Sequence, residues 1–165
     1  MSDRKLISVV VPTYNETECV EELAWRMRKV FDELADYDFE AIRVDNGSED
    51  DTFAKLVAIH EEDDRFRVLQ LAGNFRMDGG VTPGLAEARG DAAVVMTAGL
   101  QDPELIAEFI ARWEEGYENV YGVVTARRGT GLVRRANSRL FYWLAGELTD
   151  HRPRTPVQGL CSSVF

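Results

Sequence analysis

Leu6-Ile7-Ser8-Val9-Val10-Val11 is a largely β-branched run with no polar alternation, the pattern of a strand covered on both faces. Such a strand asks for helices above and below its sheet. Pro12 ends the run, and Thr13-Tyr14-Asn15-Glu16 is a polar loop. Glu16 to Ala35 then carries apolar residues at a helical period, with Val20, Leu23, Ala24, Met27, Val30, Phe31 and Leu34 on one face. Strand, loop and helix make the first half of a βαβ unit.

The alternation continues along the chain. Phe39 to Val44 reads as a strand, Asp45-Asn46-Gly47-Ser48 as a turn, and Asp50-Asp51-Thr52 as the opening of a second helix. Arg65 to Leu71 is a third strand, Gly73 to Gly80 a glycine-rich connection, and Val81 to Ala88 a short helix with Pro83 near its start. Ala92 to Met96 is a fourth strand and Pro103 to Glu114 a helix whose first turn accepts the proline. Val120 to Thr125 supplies a fifth strand and Leu132 to Leu148 a basic, aromatic-rich helix. This order predicts an α/β fold, Rossmann-like, with a mostly parallel sheet and helices on both faces.

A chain of 165 residues suits one compact domain. The reading assigns residues 1–150 to that domain and 151–165 to an incomplete C-terminal segment, whose Val157 to Phe165 begins a strand and leaves an unfinished edge. No apolar run approaches the ~18–20 residues needed to cross a bilayer. The polar start at Met1 to Lys5 lacks the features of a signal peptide, so the expected location is the cytoplasm. Cys19 and Cys161 show no metal-ligand spacing. A net charge of −10 argues against a nucleic-acid partner, because phosphate backbones need a basic footprint.

Chemistry-bearing residues fall at the ends of the expected strands, where open α/β sheets bind ligands. Tyr14 can stack on a base or sugar, and Glu16 can accept hydrogen bonds from base or ribose. Asp45 and Asn46 occupy the turn after the second strand. The blocks Val9-Val10-Val11-Pro12-Thr13-Tyr14-Asn15-Glu16, Val44-Asp45-Asn46-Gly47-Ser48, Asn74-Phe75 with Gly84-Leu85-Ala86-Glu87-Ala88-Arg89-Gly90-Asp91, and Leu100-Gln101-Asp102-Pro103 occur in that order. Together they resemble family 2 glycosyltransferases of the GT-A fold, most closely the polyprenyl-phosphate (dolichol-phosphate) mannose and glucose synthases. The resemblance runs over roughly residues 6 to 150. It implies a nucleoside-diphosphate sugar, GDP- or UDP-linked, as donor. Pro12, Tyr14, Glu16 and Asp45 are then the nucleotide-binding residues.

The same resemblance implies Mg²⁺ or Mn²⁺ at the loop after the fourth strand, which in that branch usually reads Asp-Ala-Asp-Leu-Gln-Asp-Pro. Here it reads Thr97-Ala98-Gly99-Leu100-Gln101-Asp102-Pro103. Of the implied metal ligands only Gln101 remains, and Asp102 beside it is the candidate catalytic carboxylate. A hard divalent cation prefers carboxylate oxygens, so metal affinity is expected to fall. Downstream, Ser162 stands in the nearest register to an aspartate of the related synthases.

Arg127, Arg128, Arg134, Arg135 and Arg139 resemble the region that binds a lipid-linked acceptor phosphate, with Arg127 and Arg135 the named candidates. A solvated basic helix face explains them equally well. If they bind polyprenyl phosphate, the protein lies peripherally at the inner membrane face. Two functions follow from this pattern. One is sugar transfer to a lipid phosphate or another hydroxyl acceptor; the other is nucleotide binding or regulation by a homologue with impaired turnover. A homo-oligomer or partner subunit would complete the unfinished edge.

Overall fold

The computed structural model describes residues 4–98, 102–122 and the pair 163–164. The strands are β1 (Leu6–Thr13), β2 (Asp38–Asp45), β3 (Phe66–Gln70), β4 (Ala92–Val95), β5 (Val120–Tyr121) and β6 (Ser163–Val164). The helices are α1 (Val20–Glu33), α2 (Thr52–Glu62), α3 (Arg76–Ala86) and α4 (Leu105–Glu114). The sheet order is β3-β2-β1-β4-β6-β5. β1 pairs in parallel with β2 and β4, and β2 with β3.

β1 is buried along nearly its whole length, as its largely apolar run requires, and the one polar residue of the Leu6 to Val11 run, Ser8, is satisfied by Glu40 Oε1 at 2.7 Å. Odd residues of β1, including Ile7, Val9 and Val11, join the main core with the inner faces of α1, α2 and α4. Val10, Ile42, Val44 and Val95 face the other way and pack with Val81 and Leu85 of α3. Helices therefore cover both sides of the sheet.

Four details differ from the sequence reading. α1 begins at Val20 rather than Glu16, because Glu16 to Cys19 form a turn in which Glu16 C=O accepts from Cys19 N–H (2.9 Å) and Val20 N–H (3.2 Å). α3 starts at Arg76 instead of Val81, so the glycine-rich stretch is helical and Pro83 lies inside the helix. The reason is close packing: a Cβ on Gly84 would stand 2.4 Å from Val10 Cγ1, and one on Gly80 2.9 Å from Pro12 Cβ. α4 begins at Leu105, two residues late, which is ordinary fraying at a helix start. Finally, Val164 pairs antiparallel with both Val94 of β4 and Val120 of β5. Residues 163–164 thus lie inside the sheet, not at an unfinished edge. The expected helix at Leu132 to Leu148 and the candidates Arg127 and Arg135 lie outside the described residues.

Candidate functional site

Strand order reverses beside β1: the chain moves outward to β2 and β3, then returns to place β4 on the other flank of β1. The crevice beyond the carboxyl ends at such a switch point is the usual ligand site of an open α/β sheet. Pro12, Tyr14 and Glu16 leave β1 there, Asp45 ends β2, and Thr97 follows β4.

The loops after β1 and β2 are clasped to each other. Asn15 N–H donates to Ser48 Oγ (3.0 Å), and Glu49 N–H donates to Asn15 Oδ1 (2.9 Å). Asn15 holds a positive φ of 51°, a conformation Asn tolerates better than most residues. Glu16 N–H donates to Thr52 Oγ1 (2.9 Å), and Lys55 Nζ donates to Thr17 C=O (3.0 Å). An open cleft of about 440 Å³ lies between the loops, lined by residues 15–19 with Asp50 and Asp51. Its lining is acidic. Hydrogen bonds from Thr52 and Thr17 bring Asp50 down to about 2, so it stays charged at neutral pH. Burial pushes Glu16 upward, and the charge of Arg43 partly offsets that rise.

The candidate nucleotide residues lie at the carboxyl ends of β1 and β2 in different states, and of the four Glu16 alone lines the cleft. Tyr14 is partly exposed at 37%. Glu16 lines the cleft with one oxygen, Oε2, buried and without a hydrogen-bond partner. Pro12 is buried beneath α3 near Gly80. Asp45 is fully buried, and its Oδ1 accepts Ser48 N–H at 3.2 Å while Oδ2 has Gln70 Nε2 at 3.5 Å. In this structure Asp45 shapes the turn.

Asn46 is wholly occupied. Its Oδ1 accepts Phe75 N–H (3.0 Å), and its Nδ2 donates to Arg76 C=O (2.7 Å) and Asn74 Oδ1 (3.3 Å). It brackets the start of α3, where Arg76 has a φ of 62°. A carboxylate there could accept from Phe75 but could not donate to Arg76 C=O. The neutral amide is thus the form this loop needs.

The sequence reading missed Arg43, though it carried a signal: a cation between the apolar Ile42 and Val44 of β2. Arg43 is fully buried, and its three guanidinium nitrogens have no hydrogen-bond partner among the described residues. Burial lowers it to about 10, and the charge of Glu16 pulls the other way. Thr52 of α2 was missed as well, since its role depends on a loop far away in the chain.

At the end of β4, Thr97 is nearly buried and Asp102 is exposed. Asp102 Oδ1 lies 2.7 Å from Arg26 Nη2, and Arg26 Nε also donates to Glu104 at 3.1 Å. These hydrogen bonds raise Arg26 above its ordinary range. Asp102 therefore belongs to a clasp between α1 and the start of α4. Gln101 lies outside the described residues. The family likeness implies a divalent cation here, yet a neutral hydroxyl and an arginine-paired carboxylate are a poor donor set for one. Among the described residues no group of three His, Cys, Asp or Glu side chains could hold a metal ion. The described donors do not fit the ion.

Residues 8–164 match Glycosyl transferase family 2. The chain belongs to that family. It is 37% identical over 151 residues to the uncharacterized glycosyltransferase YkcC of Bacillus subtilis (strain 168), covering 91% of this chain and 46% of the relative. It is 30% identical over 145 residues to the prophage bactoprenol glucosyl transferase homolog of Escherichia coli (strain K12), covering 87% and 47%. The chain thus spans about half the length of the curated relatives it matches. Among solved structures, glucosyl-3-phosphoglycerate synthase from Mycobacterium tuberculosis in complex with UDP aligns with a TM-score of 0.65 at 22% identity, over 97% of this chain and 56% of that one. Mannosyltransferase PcManGT from Pyrobaculum calidifontis in complex with GDP-Man and Mn²⁺ aligns with a TM-score of 0.55 at 21% identity, over 65% and 32%. These likenesses establish the GT-A-like α/β fold. Among the described residues, no helix of this family 2 member is long and apolar enough to cross a membrane.

Proposed function

We propose that this chain is the nucleotide-sugar-binding part of a transferase that moves a hexose from a GDP- or UDP-sugar to a polyprenyl phosphate. The observation that supports the reading is the clasped pair of loops at the switch point, which ties the loop carrying Tyr14 and Glu16 to the Asp45 turn and leaves a cleft lined by Glu16 beside them. Glu16 accepts from a ribose or base donor, Tyr14 offers a ring face, and Asp45 keeps the turn in shape beneath them. Curated relatives named bactoprenol glucosyl transferases support a lipid-phosphate acceptor. Arg127 and Arg135 are proposed for its phosphate, with binding at a membrane surface. Transfer is proposed to invert the anomeric carbon.

A second reading rests on the end of β4. Thr97 is neutral and Asp102 is paired with Arg26, so a chain that binds nucleotide with little turnover accounts for the same geometry. Calorimetric titration of GDP and UDP, each with and without Mn²⁺, separates the two. Tight binding of one nucleotide that strengthens with Mn²⁺ supports the transferase and identifies the base. Binding indifferent to Mn²⁺ supports the second reading, and binding of neither nucleotide rules out both.

A further inference from the structure

We propose that Arg43 is a positioning residue for the nucleotide site, its buried guanidinium holding the Glu16 carboxylate charged and turned inward so that its outer oxygen accepts from the nucleotide. The proposal rests on the reading that Glu16 touches the nucleotide, and adds a residue that no ligand can reach.

Arg43 lies on the same face of β2 as Phe39 and Ala41, both in the main core, because strand side chains alternate. It stands opposite Val11 of β1 and Val68 of β3, one residue before the Val44-Asp45 turn. A cation at such a place is costly unless an opposite charge or hydrogen bonds compensate it. Among the described residues its nitrogens make no hydrogen bond, and the charge it senses is that of Glu16. Glu16 is its counterpart: Oε2 is buried and likewise unbonded.

The other charged groups near Glu16 are already engaged or face the cleft. On β2, Asp45 holds Ser48 N–H. On α2, Lys55 is taken by Thr17 C=O and by Glu21, whose Oε2 lies 2.7 Å away. Asp50 accepts from Thr52 N–H at 3.0 Å, while Glu18, Cys19 and Asp51 line the cleft. Burial works against a charged Glu16, and the charge of Arg43 works in its favour. Coulomb attraction acts at longer range than a hydrogen bond and is strengthened by low polarity. Meanwhile Glu16 N–H is anchored on Thr52, so the side chain starts from a fixed point.

The test uses the full chain with the substitutions E16Q, R43M and R43K. Carboxyl ¹³C NMR, with the Glu16 signal assigned through E16Q, follows its titration without nucleotide. Calorimetry of GDP and UDP is run in parallel across pH. R43M is expected to move the Glu16 midpoint to higher pH, with R43K staying nearer wild type. The pH at which nucleotide affinity is half lost should move the same way. E16Q should weaken binding roughly tenfold, the size expected when a charged acceptor becomes neutral. An unmoved Glu16 midpoint in folded R43M overturns the proposal while leaving nucleotide binding standing. A midpoint that moves while E16Q binds nucleotide like wild type overturns the reading of Glu16, and the positioning role with it. Should R43M fold poorly, R43Q, which keeps a polar side chain of similar reach and loses the charge, takes its place in the same titration. An unmoved Glu16 midpoint in R43Q overturns the pairing, and a midpoint moved to higher pH supports it.

Discussion

Asn46 shows how a single amide decides a loop. Its two ends serve Phe75 N–H and Arg76 C=O, so Asn46→Asp turns a donor into a second acceptor facing a carbonyl. The expected loss is about 1–3 kcal/mol, the range for a buried group left unsatisfied. Chemical denaturation of N46D beside wild type measures it, and equal stability would show the bracket to be unimportant. Glu40 gives a pH effect of known sign. Ser8 Oγ (2.7 Å), Arg89 N–H (2.7 Å) and Arg67 Nη1 (3.0 Å) all donate to it. Although burial opposes the shift, these donors together hold it below its ordinary 4.5. Its contribution to stability is therefore complete above about pH 4.5 and is lost as pH falls through the folded-state value. Glu16 has the opposite sign, since its raised value weakens folding as pH climbs through it. In acid titrations of unfolding, E40Q should show a flatter fall between pH ~5 and ~3 than wild type.

At the scale of elements, α3 depends on closeness more than on propensity. Gly79, Gly80 and Pro83 all disfavour a helix in isolation. The helix forms because its glycines let the backbone settle on β1 and β2, where Val10 and Val44 wait. Gly84→Ala would gain at most about 1 kcal/mol of helix propensity. The added methyl meets Val10 Cγ1 at 2.4 Å, and overpacking of that kind costs about 1–3 kcal/mol. G84A should therefore destabilise on balance, with V10A/G84A recovering part of the loss in thermal melts. Gain in the single variant would mean that α3 can lift from the sheet. The clasp of Arg26 on Asp102 and Glu104 works between elements too, tying α1 to α4. Its exposed carboxylates make it weak in salt.

For the whole molecule, the donor set after β4 sets the expected metal response. Thr97→Asp with Gly99→Asp restores two carboxylates to the loop, and should make nucleotide affinity rise at least roughly tenfold on adding Mn²⁺. Calorimetry with and without the ion checks this; a double variant that responds to Mn²⁺ no more than the parent would show that carboxylates at 97 and 99 do not set the metal response. Much of the architecture was legible beforehand. The largely apolar Leu6 to Val11 run announced a strand buried on both faces, and helical periodicity placed α1, α2 and α4 within a few residues. The loops carrying Tyr14, Glu16 and Asp45 were legible as well, because turn chemistry and strand ends are local signals. The early start of α3 was not, since glycine-rich sequence reads as loop unless the surface it packs on is known.

The sequence by itself determined the order of strands and helices, the two-sided burial of β1 and the family motifs at the strand ends, because period and turn chemistry are written in neighbouring residues. Only the tertiary structure decided which polar groups are occupied. Asp45 is taken up by its turn, Asn46 by α3, and Asp102 by Arg26, while Glu16 and Arg43 keep buried atoms without hydrogen-bond partners. Ser48 serves Asp45 from within the same turn, but the partners of Asn46 and Asp102 come from distant parts of the chain, and packing alone brings them within hydrogen-bonding distance.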